Sequence, residues 1–274
     1  MSYRESDNLI VSEKFQNKTG YNKPVAEEIE NRRLAERNPS TQNRDQAQSW
    51  ANLSNELERI RHAAERNRKE QFISLLHHVY NIKRLESSFL KLKRKSAKGV
   101  DRRTWQEYNS NLKENLNILS GKPRKGHYRA RSVKRIYIPK ADGRIRPIGI
   151  PALEDKIVQR SMVEILNSIY EVNFLGFSYG FRPKQSQHNA LDAVVEAIEG
   201  RKVSWVLDVD IPGFFDAISH EWMIKFIKHR IKDRRIILQV KKCLDAGVIE
   251  DGENRLWEPL LIRILVEVQG LRKM

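Results

Sequence analysis

Apolar positions are sparse and aperiodic over residues 1–48, a stretch rich in Asn, Gln, Arg, Glu and Ser. Such a segment buries too little surface to offset the entropy of ordering, so it is expected to be disordered. From Trp50 the pattern changes. Leu53, Leu57, Ile60 and Ala64 recur three and four residues apart, as on one face of a helix. Phe72, Leu75, Leu76, Val79 and Tyr80 mark a second helical stretch, and Leu85, Phe89 and Leu92 a third. Gly99-Val100-Asp101 reads as a turn, after which Thr104 caps a helix carrying Tyr108, Leu112, Leu116 and Leu119.

Residues 121–135 form a basic connector with two Gly, one Pro and no acidic residue. Lys134 to Ile138 then reads as a strand, and Ala141-Asp142-Gly143 as the turn into a second strand through Ile145 to Ile150. The apolar stripe Leu153, Ile157, Val158, Met162, Ile165, Ile169 and Val172 marks a long helix. The loop FLGFSYGFRP follows, then a helix carrying His188, Leu191, Val194, Val195 and Ile198. Val203 to Asp210 reads as a strand, followed by helices near 219–231 and 234–245. The order of elements is mixed α/β, with helices and a small sheet together and no internal repeat.

Composition adds a sign. Lys and Arg number 51 against 35 Asp and Glu, a net charge of +16 over 274 residues. That field attracts polyanions, nucleic acid foremost. No apolar run reaches the roughly 20 residues needed to span a bilayer, and MSYRESDNLI is no signal peptide. Cys243 is the only cysteine, which excludes an intramolecular disulfide and a cysteine-based metal cluster. It falls in a helical apolar pattern and reads as buried. These features point to a cytoplasmic protein without membrane partners.

Two regions carry candidate chemistry. Between Lys122 and Arg146 stand ten Lys or Arg and one acid, Asp142, with Tyr128 and Tyr137 interleaved. Lys122, Arg124, Lys125, Arg129, Arg131, Lys134 and Arg135 are the candidates for tracking a phosphate backbone; a merely solvated basic face is the alternative. Arg61, Arg66, Arg68 and Lys69 upstream offer further contacts to structured RNA. The second region is Asp210-Ile211-Pro212-Gly213-Phe214-Phe215-Asp216. A carboxylate ending a strand is rigidly aimed and suits magnesium, which takes hard oxygen ligands plus substrate phosphates. Taken by itself, a strand-end Asp is better explained by capping the next turn.

Three blocks change the weighting. Residues 134–160, KRIYIPKADGRIRPIGIPALEDKIVQR, are closely similar to the fingers motif of group II intron-encoded reverse transcriptases. Residues 174–191, FLGFSYGFRPKQSQHNAL, resemble their next block, and residues 205–222, WVLDVDIPGFFDAISHEW, the block bearing their first catalytic Asp. The resemblance covers roughly residues 50–252. It implies an RNA-directed DNA polymerase of right-hand architecture: a helical N-terminal extension at 49–132, fingers at 133–202 and the start of a palm at 203–252. It further implies Mg2+ as cofactor, with Asp210 as a catalytic metal-binding carboxylate and Ile211 offering its backbone carbonyl. Phe215 matches the aromatic that packs under the incoming sugar. Lys140 and Arg146 match basic residues that hold the incoming deoxynucleoside triphosphate, as suits an ammonium and a guanidinium. Arg182 either braces template or nucleotide or pairs with an acidic neighbour. The implied partners are structured intron RNA and an RNA template with a DNA primer.

The sequence departs from the family at three places. Arg102 replaces the glycine that commonly follows Gly-Val-Asp, which alters that turn. Pro212 removes a backbone donor from the turn after Asp210. After Gly252 the resemblance is expected to end: residues 253–274 show no Tyr-Ala-Asp-Asp turn, and the chain holds no Asp-Asp dipeptide. A frameshifted tail accounts for this, and a palm so shortened is expected to be marginally stable from about residue 203 onward. A single Asp cannot hold two magnesium ions, so the chain alone is expected to be inactive. The alternatives are a non-enzymatic RNA-binding fragment and a relative from a retron or defence system.

Overall fold

The computed structural model describes residues 41–124, 128–139, 143, 145–180, 182–201, 203–211, 219–250 and 253–255. Helix α1 (Thr41–Arg66) starts earlier than its apolar stripe predicts. Its first residues are polar and gave no periodic signal, yet residues 41–48, expected to be disordered, are helical. Two short helices follow, α2 (Leu76–Val79) and α3 (Ile82–Leu90), the latter capped by the Asn81 side chain on Lys83 N. Helix α4 (Trp105–Ser110) begins with a complete capping box between Thr104 and Glu107, and α5 (Leu112–Arg124) follows at once. The basic stretch after Gly121 is therefore still helix through Arg124, not connector.

Strands β1 (Val133–Pro139) and β2 (Ile145–Ile150) form the predicted antiparallel hairpin, with Lys134 opposite Ile150 and Ile138 opposite Arg146. Gly143, in the connecting turn, adopts φ +78°, a conformation glycine takes without steric cost. Helix α6 (Leu153–Tyr170) is the centre of the molecule. Its stripe Leu153, Ile157, Val158, Met162, Ile165, Leu166 and Ile169 is fully buried against α1, α2 and α3. A 3-10 turn (Glu171–Asn173) ends it, and helix α7 (Gln187–Gly200) lies beyond the next loop.

Helices α8 (His220–Arg230) and α9 (Arg234–Leu244) close the same core. Met223, Ile227, Ile231, Ile236, Val240 and Leu244 join one cluster with Leu75, Val79, Phe89 and Ile165. Of the stretch from residue 203 expected to be marginally stable, 219–250 packs into this core while 203–211 is exposed. Two buried charged groups fasten this junction. Arg230 donates from Nε to Glu70 O (2.9 Å) and from NH1 to Asn173 Oδ1 (2.6 Å). Asp233 accepts from Leu75 N (2.8 Å) and Leu76 N (3.1 Å), giving partners to donors that short helix α2 leaves open.

The sheet has two strands the sequence did not reveal. β3 (Val248–Glu250) pairs parallel to β1, and β4 (Glu253–Arg255) antiparallel to β3, giving the order β2-β1-β3-β4. Three-residue strands are too short for a period-2 pattern to register. Their pairing carries the sheet past Gly252, where the likeness was expected to end.

The strand expected over Val203–Asp210 is absent. Residues 203–211 are irregular and exposed, with Trp205 at 91% and Leu207 at 88% of full accessibility. The residue types favour a strand, but a strand needs a partner for its backbone groups, and none of the described elements provides one. The apolar positions Leu191, Val194, Val195 and Ile198 of α7 are likewise exposed.

Candidate nucleic-acid interface and polymerase site

The basic track starts where α5 ends. Lys122 is the first of its predicted residues, and its ammonium is committed internally, 2.5 Å from Glu154 Oε2. Glu154 also faces Arg103 NH1 at 3.9 Å. The Arg124 side chain and Lys125 lie outside the described residues. Tyr128, expected on the surface, is buried. Its hydroxyl donates to Asp155 Oδ1 (2.5 Å), and its carbonyl accepts from Lys242 Nζ (3.0 Å). A phenol beside an apolar core and a carboxylate is better placed inside than on a basic rim, and burial pushes its pKa well up. Arg131 N donates to the other oxygen of Asp155 (3.0 Å). Burial pushes the Asp155 carboxyl up to about 6, although the Tyr128 and Arg131 hydrogen bonds pull it down. This anchor turns the connector so that the Arg129, Arg131 and Lys134 side chains face solvent. Arg135 is half-buried on β1.

The anchor also shapes a cavity of about 340 Å³ between α5, the Asp101–Arg103 turn and the start of α6. Asp101 Oδ2 caps α6 by accepting from Leu153 N (3.0 Å). Gly99 lies so close to the Pro151 and Ala152 backbone that a Cβ there would meet Pro151 O at 2.4 Å. Arg102 takes φ +52°, so the turn keeps the left-handed conformation despite the non-glycine residue. The sequence marked Asp101 only as a turn residue, and gave no sign that Arg103, Glu154 and Asp155 meet there.

Among the nucleotide candidates, Arg146 stands on β2 opposite Ile138, while Lys140 and Phe215 lie outside the described residues. Arg182 is held within the chain. Its Nε and NH2 reach Glu171 Oε1 (3.1 and 2.8 Å), and NH1 reaches the carbonyls of Leu175 (3.0 Å) and Ser178 (2.7 Å). Its guanidinium also lies 4.8 Å above the Phe174 ring. Of its two sequence alternatives, this geometry realises the acidic-neighbour pairing and ties Arg182 back to Leu175 and Ser178. His188 and Asp208 are exposed.

Asp210 and Ile211 are exposed in the irregular segment 203–211. Among the described residues, no group of three or more His, Cys, Asp or Glu comes together that could hold a metal ion. The donor set formed by the described residues does not fit a two-metal site.

The described residues form a mixed α/β arrangement, a helix-rich body carrying a hairpin, with the Asp210 segment exposed. Residues 138–261 match the family described as reverse transcriptase (RNA-dependent DNA polymerase), and the match runs past Gly252 in step with β4. The relatives narrow the class. The Escherichia coli K12 protein YkfC is 37% identical over 157 residues, 56% of this chain and 41% of the relative. The group II intron-encoded protein LtrA of Lactococcus lactis is 39% identical over 129 residues, 47% of this chain and 21% of the relative. A putative COX1/OXI3 intron 1 protein of Saccharomyces cerevisiae is 35% identical over 146 residues, 53% of this chain and 17% of the relative. Over these stretches the chain is similar to reverse transcriptases and maturases of the group II intron type. It spans less than half the length of each of these relatives. No helix of the described residues is long and apolar enough to cross a membrane.

Proposed function

We propose that this chain is the RNA-binding front of an RNA-directed DNA polymerase, binding structured intron RNA and an RNA template through its basic track. The observation that carries this reading is the outward display of Arg129, Arg131 and Lys134 by the buried Tyr128–Asp155 anchor. A merely solvated basic face needs no such internal scaffold. The reading divides the chain into a helical extension (49–132), fingers (133–202) and a palm start (203–252). Since α8 and α9 pack into the extension's core, these are functional regions and not separate folding units.

In this reading Asp210 is one carboxylate of a Mg2+ site, with the Ile211 carbonyl beside it. Lys140 and Arg146 bear on the triphosphate of a deoxynucleotide paired to the template, and Phe215 on its sugar. Arg182 acts by holding the loop 174–183 in shape. The 274 residues contain no Asp-Asp dipeptide, so DNA synthesis requires carboxylates from beyond them. Cytoplasmic location fits the single buried cysteine. The test is filter binding of structured RNA across a salt series, with primer extension in parallel. Binding that weakens steeply with salt, by a slope that falls by about one per charge removed at Arg129 or Arg131, is expected without extension. Salt-insensitive binding overturns the RNA reading, and Asp210-dependent product overturns the inactivity.

A further inference from the structure

The corner between α8 and α9 is basic, and two segments far apart in sequence build it. Residues 66–73 and 228–235 hold eight Lys or Arg against two acids, Glu70 and Asp233. We infer that this corner is a second RNA-contacting surface, on which Lys228, Lys232 and Arg234 bear on backbone phosphates beside Arg66 and Lys69. This inference rests on the RNA-binding reading above and adds to it a surface apart from the basic track.

The two segments are joined through their backbones. Phe72 N donates to Arg230 O (2.8 Å), Lys232 N donates to Phe72 O (2.8 Å), and Phe72 and Ile231 form an isolated parallel bridge. The buried Arg230 guanidinium ties down the same stretch by donating to Glu70 O (2.9 Å) and Asn67 O (3.5 Å). The cations on both segments are therefore carried on fixed backbone. Both acids are engaged. Asp233 is buried and accepts from Leu75 N, Leu76 N and the Arg235 guanidinium, and Glu70 accepts from Asn67 Nδ2 (3.1 Å). Arg66, Lys69, Lys228, Lys232 and Arg234 are exposed, and none of the five has an ion-pair partner among the described residues.

Other cations on the same helices show what is missing here. Arg61 on α1 pairs with Glu65 at 2.9 Å, Lys83 on α3 with Glu86 at 3.5 Å, and Lys225 on α8 with Glu221 at 3.0 Å. Such pairs, three or four residues apart, keep a solvated helix face balanced. Further along α1 and α8, and across the turn into α9, the cations stand without acids. Clustered like charges repel one another, and an anionic ligand relieves that repulsion. These cations are spread over two segments and a helix–helix turn, which suits a line of phosphates better than one small anion. Double-stranded RNA is held through its phosphates and shape with little base readout, so point cations on a surface suffice. The corner is also distant from the track. Arg131 N is bonded to Asp155 in the first turn of α6, whereas Arg230 is bonded to Asn173 just past its end. Helix α6, 18 residues long, separates the two by about 27 Å.

The experiment is fluorescence anisotropy with an RNA hairpin of about 16 base pairs, over a salt series from about 50 to 200 mM. The variant Lys228→Gln/Lys232→Gln/Arg234→Gln is expected to raise Kd about ten- to a hundredfold at about 150 mM salt and to lower the salt slope by about three. A control, Lys113→Gln/Arg160→Gln/Arg201→Gln, removes the same charge from exposed positions elsewhere and is expected to raise Kd by less than about threefold. Adding Arg129→Ala/Arg131→Ala to the corner variant is expected to lower the slope by about two more, as for independent surfaces. The corner variant should melt at or above the wild-type temperature, since it removes repulsion; a purely structural role for these cations would lower it. Equal weakening by the two triple variants assigns the effect to net charge and overturns the surface. RNA binding by the corner variant at wild-type strength overturns it too, including the case where binding to vesicles of phosphatidylserine and phosphatidylcholine is lost instead. In either case, weakening by Arg129→Ala/Arg131→Ala alone leaves the track reading standing. Failure of the wild type to bind the hairpin overturns both.

Discussion

Asp233 fastens the second half of the chain to the first, and its removal has a calculable effect. The side chain is 2% exposed and accepts from Leu75 N, Leu76 N and the Arg235 backbone and guanidinium. Burial alone raises a carboxyl's pKa. Here the hydrogen bonds from Arg235, Leu75 and Leu76 outweigh burial and bring it from 3.8 to about 2. That shift is worth roughly 2 kcal/mol. Since the folded value lies below the unfolded one, the contribution is complete above about pH 4 and is lost as pH falls toward 2. Asp233→Asn keeps the shape, removes the charge and turns one acceptor into a donor facing N–H groups. We expect a loss of about 3 kcal/mol at pH 7, or a fall in Tm of about 6–12 °C. The assay is urea unfolding at pH 7, 4 and 2.5, followed by tryptophan fluorescence and far-UV dichroism. The gap between wild type and variant is expected to narrow by about 1.5 kcal/mol between pH 4 and 2.5, with both probes reporting one transition. A gap under about 0.5 kcal/mol at pH 7, or one as wide at pH 2.5 as at pH 7, refutes the reasoning. Two separate transitions refute the shared core.

Three further outcomes are expected. Asp155 has the opposite sign: its folded pKa of about 6 lies above its ordinary 3.8, so its contribution is complete below about pH 4 and is lost as pH rises through 6. In chemical denaturation Asp155→Asn should therefore flatten the stability profile between pH 4 and 6 by about 3 kcal/mol. Arg182→Ala leaves Glu171 without its cation and should cost about 2–3 kcal/mol, with faster tryptic cutting near Lys184; Arg182→Lys should rescue little, because an ammonium cannot span the same four contacts. Arg102→Gly relieves a left-handed φ of +52° and should raise stability by up to about 1 kcal/mol in thermal melts, set against the entropy glycine adds to the unfolded chain.

What the sequence disclosed divides along physical lines. The α6 stripe through Ile169, the Thr104 cap and the hairpin around Gly143 are local signals and appear where they were read, although the helix expected from Thr104 through Leu119 is two, α4 and α5, and Val172 falls in the 3-10 turn after α6. Cys243, read as buried from its helical spacing, is buried, and its thiol is pushed up to about 12 by that burial. The misreadings concern partners distant in sequence. Val203–Asp210 has strand-forming residues without a neighbouring strand. Lys122 and Tyr128 looked like surface until Glu154 and Asp155 came beneath them from α6. Arg84, buried between Glu56 and Glu164, and Arg230, bonded to Asn173, carry no local mark that separates them from solvated arginines. Of the candidate site, the sequence identified residue types well. It did not show which of them the fold turns inward.

The Arg230 bond to the Glu70 carbonyl joins residues 160 apart. During synthesis, the extension's helices emerge long before α8 and α9 that cover them. At about 5–20 residues per second, their apolar faces wait on the order of ten seconds or more for closure. The nascent extension thus exposes apolar helix faces until α8 and α9 have been made. Its final packing is a late, post-exit event set by how soon the chain reaches Leu244.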